Sequence, residues 1–195
     1  PFMQKVYPHD TLPGQPELGL HLLQSAVGEN FDPSVTHRMK LDHGFCVPLW
    51  RMGLDPSLPI VPIVVNDLEP PMPTLQRCVA FGQMLRRAIE SFPCDLRVVM
   101  LGTGGLSHSI GEPTMGEIDE PFDELCIDLF NHADDDRLAL ELEKALKTTG
   151  NGAAEVRNWV ICHAAAGSSG FDLIDYAAIP EVYIGCGLAE WKIAA

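Results

Sequence analysis

Three short stretches of this chain carry residue types able to move protons or hold a metal: Asp42-His43-Gly44, Gly102-Thr103-Gly104-Gly105-Leu106-Ser107-His108, and Glu155. Imidazole is the one side chain whose ordinary pKa lies near neutrality, so His108 and His43 can each act as acid or base. The glycine-rich heptapeptide follows an apolar run and delivers His108 at its end, the place where open α/β sheets present their chemistry. Its glycines permit a sharp turn and leave room for a ligand close to the backbone. Asp42 could orient the His43 ring as a supporting carboxylate. Each signal also has a plainer reading: a histidine satisfied behind a turn, a structural histidine, and an acid favoured by the positive end of a helix. Ser107 stands where a dinucleotide fingerprint needs its third glycine, so that motif is excluded. Ser107 beside His108 is also no nucleophile–base pair by adjacency alone.

The elements that must position these residues alternate in type. Residues 16–27 space their leucines as a helix does, with Pro16 near its start. Residues 58–65 are rich in Val and Ile and read as a strand, although Pro59 and Pro62 withhold ladder donors. Thr74 suits an N-cap, and Leu75, Cys78, Val79, Leu85, Ile89 and Phe92 form one apolar stripe behind it. Residues 96–101 read as a buried strand feeding the glycine turn. Helical segments follow near 122–131 and 135–148, and a last helix carries Val156, Trp159, Val160 and Ala164. A tail over 176–188 adds a strand or a pocket wall. This alternation predicts an α/β layered single domain over residues 1–195.

Composition narrows the partners. The chain has 195 residues, 46% of them apolar, with 13 basic against 27 acidic side chains and a formal charge of −14. That balance argues against nucleic acid and against an anionic membrane surface. No run approaches a membrane span and no signal peptide is visible, which predicts a cytoplasmic protein. The six cysteines are scattered without a C-x-x-C pair, as expected of small buried hydrophobes in a reducing compartment. His9, His21, His37, His132 and His163 lack metal-ligand spacing and read as surface or core residues.

Taken in order, the segments resemble the class III extradiol ring-cleavage dioxygenases, the family of the protocatechuate 4,5-dioxygenase β subunit. The resemblance rests on Asp42-His43-Gly44-Phe45-Cys46-Val47-Pro48-Leu49, on Val61-Pro62-Ile63-Val64-Val65-Asn66, and on Gly102 to His108. Phe122-Asp123 with Asp128, and Glu155-Val156-Arg157-Asn158-Trp159, extend it. It implies a three-layer α/β/α sandwich with a central mixed sheet, holding non-haem Fe(II) through two histidines and one carboxylate. By position, Glu155 matches the carboxylate ligand, His108 the acid/base and His43 the second active-site histidine. The family's two iron-binding histidines belong to an N-terminal segment this chain is expected to lack. The implied reaction is meta-cleavage of a catechol bearing a carboxylate, with both atoms of O2 inserted. The implied assembly is a homo-oligomer, with a small accessory subunit in some relatives. Two other readings stay open at this point: a metal-free binding or assembly subunit of the same fold, and a hydrolase using His108 with Asp42 or Glu155.

Overall fold

The computed structural model describes residues 11–193, so His9 lies outside the described residues. The chain divides into two compact units, one of residues 1–64 and 87–98, the other of residues 65–86 and 99–195.

The first unit holds helix α1 (Pro16–Gly28) and helix α2 (His43–Arg51). Proline opens α1, where its missing N–H costs nothing. Leu18, Leu22 and Ala26 bury its inner face, the spacing of one helical stripe. His21 is placed by its ring nitrogen Nε2, 2.9 Å from the Ala88 carbonyl. Helix α2 begins because the Asp42 side chain accepts the Gly44 N–H at 2.9 Å, a cap of about 1 kcal/mol. Asp42 therefore caps a helix, where the sequence suggested a partner for the His43 ring.

The second unit carries most of the core. Helix α3 (Leu75–Glu90), whose residues 87–90 fall in the first unit, starts where Thr74 Oγ1 accepts the Arg77 N–H, as its sequence predicts. Helices α4 (Glu120–His132) and α5 (Asp135–Ala145) are capped by the side chains of Asp119 and Asp134. A 3₁₀ turn (Asn151–Glu155) leads into helix α6 (Val156–Ala165), and strands β1 (Phe171–Ile179) and β2 (Ile184–Trp191) form an antiparallel hairpin. Leu75, Met84, Leu106, Leu129, Leu138, Leu142, Val156 and Val160 are fully buried. Gly82 lets α3 press on α6, since a Cβ there would lie 2.3 Å from the Ile161 carbonyl oxygen. Cys78 and Cys162 behave as hydrophobes, burial pushing their thiols up to about 11 and about 12. Cys94 and Cys186, by contrast, are exposed.

The α/β class is as expected and the tail over 176–188 does carry strand, but the two earlier expected strands are not formed. Among the described residues the one sheet is the β1–β2 hairpin. Neither 58–65 nor 96–101 forms a strand; Ile60 makes an isolated parallel bridge to Gly14. β-Branched composition creates a preference for an extended, half-covered surface, but a ladder also needs a neighbour. Without one the runs stay open, with Val64 66% and Val99 75% exposed. No helix among the described residues is long and apolar enough to cross a membrane.

Candidate active site

The glycine turn lies against the start of α6 and the hairpin. Gly104 adopts φ +119°, and a Cβ there would stand 2.7 Å from the Glu155 Cβ; only glycine meets both demands. A Cβ at Gly102 would lie 2.8 Å from the Cys162 sulfur, and one at Gly105 would collide with Ile184. The space left by these glycines is thus filled by the protein itself, above all by Glu155, where the sequence suggested room for a ligand. Trp159 Nε1 fastens the turn by donating to the Gly104 carbonyl at 3.1 Å.

This packing brings His108 and Glu155 together across 47 positions of sequence. His108 Nδ1 lies 3.0 Å from the Leu106 carbonyl oxygen, which can only accept, so Nδ1 carries the proton. Nε2 is then the free basic nitrogen, and it stands 3.7 Å from Glu155 Oε1. The other carboxylate oxygen, Oε2, accepts the Gly105 N–H at 2.7 Å. Gly152 flanks the ring so closely that a Cβ would lie 2.3 Å from Nε2. Burial works against a charged imidazole, but the Glu155 carboxylate and the Leu106 carbonyl outweigh it, and the His108 pKa is raised. Asp67 stands in the same neighbourhood, its carboxyl pushed up by burial and then by the Glu155 charge, while Asn158 Nδ2 donates to it at 3.3 Å.

His43 belongs to the other unit, where it is the exposed first residue of α2. Within one unit, then, the structure unites His108 with Glu155. Ser107 is no nucleophile, because its hydroxyl donates to Asp123 Oδ2 at 2.9 Å and accepts the Asp119 N–H at 2.9 Å. A cleft of about 370 Å³ opens on the far side of the turn, lined by His108, Ser109, Thr114, Thr148 and the acids Glu112, Glu117 and Asp119. Glu155 does not line it, and neither does any Lys or Arg, so it is not where a carboxylate-bearing ligand would meet both active residues.

Among the described residues no three His, Cys, Asp or Glu side chains converge closely enough to hold a metal ion. Glu155 presents an anionic oxygen suited to one position of a two-histidine, one-carboxylate site. The other two donors are not in its surroundings, so the described residues by themselves do not make a complete iron site.

Sequence reasoning gave no site role to Asp123, named only within the resemblance, or to Tyr176. Asp123 is fully buried and takes hydrogen bonds from the Ser107 N–H at 2.7 Å, the Ser107 hydroxyl, and the Tyr176 hydroxyl at 2.8 Å. An acid in the first turn of a helix is ordinarily explained by the helix dipole, which hides this role. The apolar run around it was the available signal.

A gallate dioxygenase of Pseudomonas putida is 37% identical over 159 residues, 79% of this chain and 47% of that protein. A 2,3-dihydroxyphenylpropionate/2,3-dihydroxicinnamic acid 1,2-dioxygenase of Xanthobacter autotrophicus is 28% identical over 207 residues, 80% of this chain and 64% of its own length. A similarly named Pseudomonas putida protein is 37% identical over 98 residues, 49% of this chain and 30% of its own. The chain therefore spans about a third to two thirds of the length of these relatives. Residues 3–187 match the family model described as the catalytic LigB subunit of aromatic ring-opening dioxygenase, and the chain belongs to that family.

Proposed function

We propose that the protein is an extradiol dioxygenase that opens a catechol ring bearing a carboxylate by meta-cleavage. Gallate and 2,3-dihydroxyphenylpropionate, named for its relatives, are the substrates to try first. The observation that carries the reading is the His108–Glu155 pair, a free imidazole nitrogen 3.7 Å from a carboxylate. Glu155 is the carboxylate ligand of non-haem Fe(II), joined by two histidines from outside the described residues. When bound, the iron supplies the electron path between ring and O2 that neither partner offers alone. His108 does the proton work: Nε2 takes a proton from a phenolic hydroxyl and returns it when the O–O bond breaks, a role worth about 10²–10⁴ in rate. Its Nδ1–H bond to Leu106 keeps the basic nitrogen directed at the reacting side. By its match to the family's second active-site histidine, His43 is assigned to stabilising charge on oxygen.

The same reading covers the rest of the protein. Its fold in this reading is a three-layer α/β/α sandwich around a central mixed sheet. The assembly is a cytoplasmic homo-oligomer, open to a small accessory subunit. In the full-length protein, His108→Ala should abolish nearly all oxygen uptake with either catechol while iron content stays unchanged, and Glu155→Ala should lose the iron. Full turnover in His108→Ala would remove the acid/base role. Catechol binding with neither iron nor oxygen uptake would put a metal-free assembly subunit in its place.

A further inference from the structure

We propose that Asp123 is the positioning residue for His108, acting through Ser107 and coupling the hairpin to the proton-transferring ring. The proposal rests on the acid/base reading of His108 and deepens it. Three donors end on this one buried carboxylate: both the backbone and the side chain of Ser107, and Tyr176 from β1. A carboxylate that only accepts, with three donors facing it, is a rigid anchor.

The bonds lead from there to the imidazole without a gap. Ser107 directly precedes His108. The Leu106 N–H donates to the Gly185 carbonyl at 2.9 Å, and the Gly185 N–H to the Ser107 carbonyl at 2.9 Å. Asp123 thus holds the peptide between Leu106 and Ser107 through its N–H, while β2 holds the peptides on either side of it. The carbonyl of that peptide receives His108 Nδ1–H, so its direction sets both the ring tilt and the tautomer. Gly185 has no room for a side chain, because a Cβ would lie 1.8 Å from Asp123 Oδ2. Helix α4, both strands and the glycine turn thus meet at one carboxylate. Two of its three bonds go to the residue before the base.

Asp123→Asn keeps the shape but replaces one acceptor oxygen with a donor, so the Ser107 and Tyr176 hydroxyls can no longer both be satisfied. In the iron-loaded full-length protein, kcat should fall about 10²-fold, the loss expected of a misplaced catalytic group. KM should stay within about twofold, and iron content should hold. In a His108→Ala background the same substitution should cost nothing further, since a residue acting through another is non-additive with it. Tyr176→Phe, which removes one donor and leaves Ser107 anchored, should lower kcat by about three- to tenfold with the same signature. Independently of turnover, ¹⁵N spectra of ring-labelled histidine in the iron-free protein should show His108 as one Nδ1–H tautomer, becoming mixed in Asp123→Asn and in Tyr176→Phe. An unaltered tautomer with unaltered kcat in both variants overturns the proposal. So does an equal further loss in the His108→Ala background. Full activity of His108→Ala with a still-shifted tautomer would instead keep the positioning and remove the acid/base role.

Discussion

Two buried histidines in the same unit meet opposite fates. His108 keeps a basic nitrogen opposite Glu155, and its pKa is raised. His163 is also buried, but its ring sits among Phe130 and Trp191, with centroids 5.3 and 6.2 Å away. Trp191 Nε1 donates to its Nδ1 at 2.8 Å, so the proton sits on Nε2, which has no partner. Burial there pushes the pKa down, against a weaker upward pull from Asp135. Burial is common to both; the partner on the second nitrogen separates a base from a piece of core. The tautomers are opposite because one ring meets a carbonyl and the other an indole N–H.

The largest test of this contrast is substitution at each site. His108→Ala should lower kcat/KM by about 10²–10⁴-fold, whereas His163→Leu should leave turnover within about twofold. If His163→Leu were as inactive as His108→Ala, the distinction would fail. Next in size is Gly152→Ala, whose methyl would strike the His108 ring; kcat should drop about tenfold or more as the ring is displaced. Gly28→Ala, with nothing within 4 Å of its added Cβ, should instead raise stability by about 0.4–1 kcal/mol in thermal or urea unfolding.

Unfolding free energy against pH sharpens the comparison further in the iron-free protein. The folded His163 refuses a proton that the unfolded chain accepts. Stability should therefore fall as pH drops below about 6.5, by at most about 1.4 kcal/mol per pH unit. His163→Leu should flatten that acid limb. The folded His108 binds its proton more tightly than the unfolded chain does, so its contribution is full below about 6.5 and lost as pH rises through its elevated pKa. His108→Gln should remove that loss on the alkaline side. His163→Leu should also change stability at neutral pH. Trp191 loses its acceptor while the unpartnered Nε2–H disappears, leaving a net change of about 1–2 kcal/mol.

Much of the helical frame was legible in the sequence because its signals are local. Pro16 and Thr74 mark helix starts by chemistry acting within three residues, and the leucine spacing of α1 names its buried face. The strands were less legible. Pairing depends on a distant partner, so the valines of 58–65 and 96–101 announce a preference without a ladder. The hairpin showed only as a strand or pocket wall over 176–188, because Ala177, Ala178, Gly185 and Gly187 have little strand character. In the site, His108 and Glu155 stood out by type and setting. Their close approach could not be read, because it depends on Gly104 letting two segments touch. Asp123 was hidden for a different reason: its position looks fully accounted for by a helix start.

The stitching of Leu106 and Ser107 to Gly185 also sets an order of events at the ribosome. The turn is synthesised nearly eighty positions before the glycine that clasps it, so while α4, α5 and α6 emerge it has the Asp123 anchor but not the β2 one. Only when the hairpin has cleared the exit tunnel does that backbone lock. A nascent chain cut short of β2 would hold every candidate catalytic side chain and still present an unaligned imidazole.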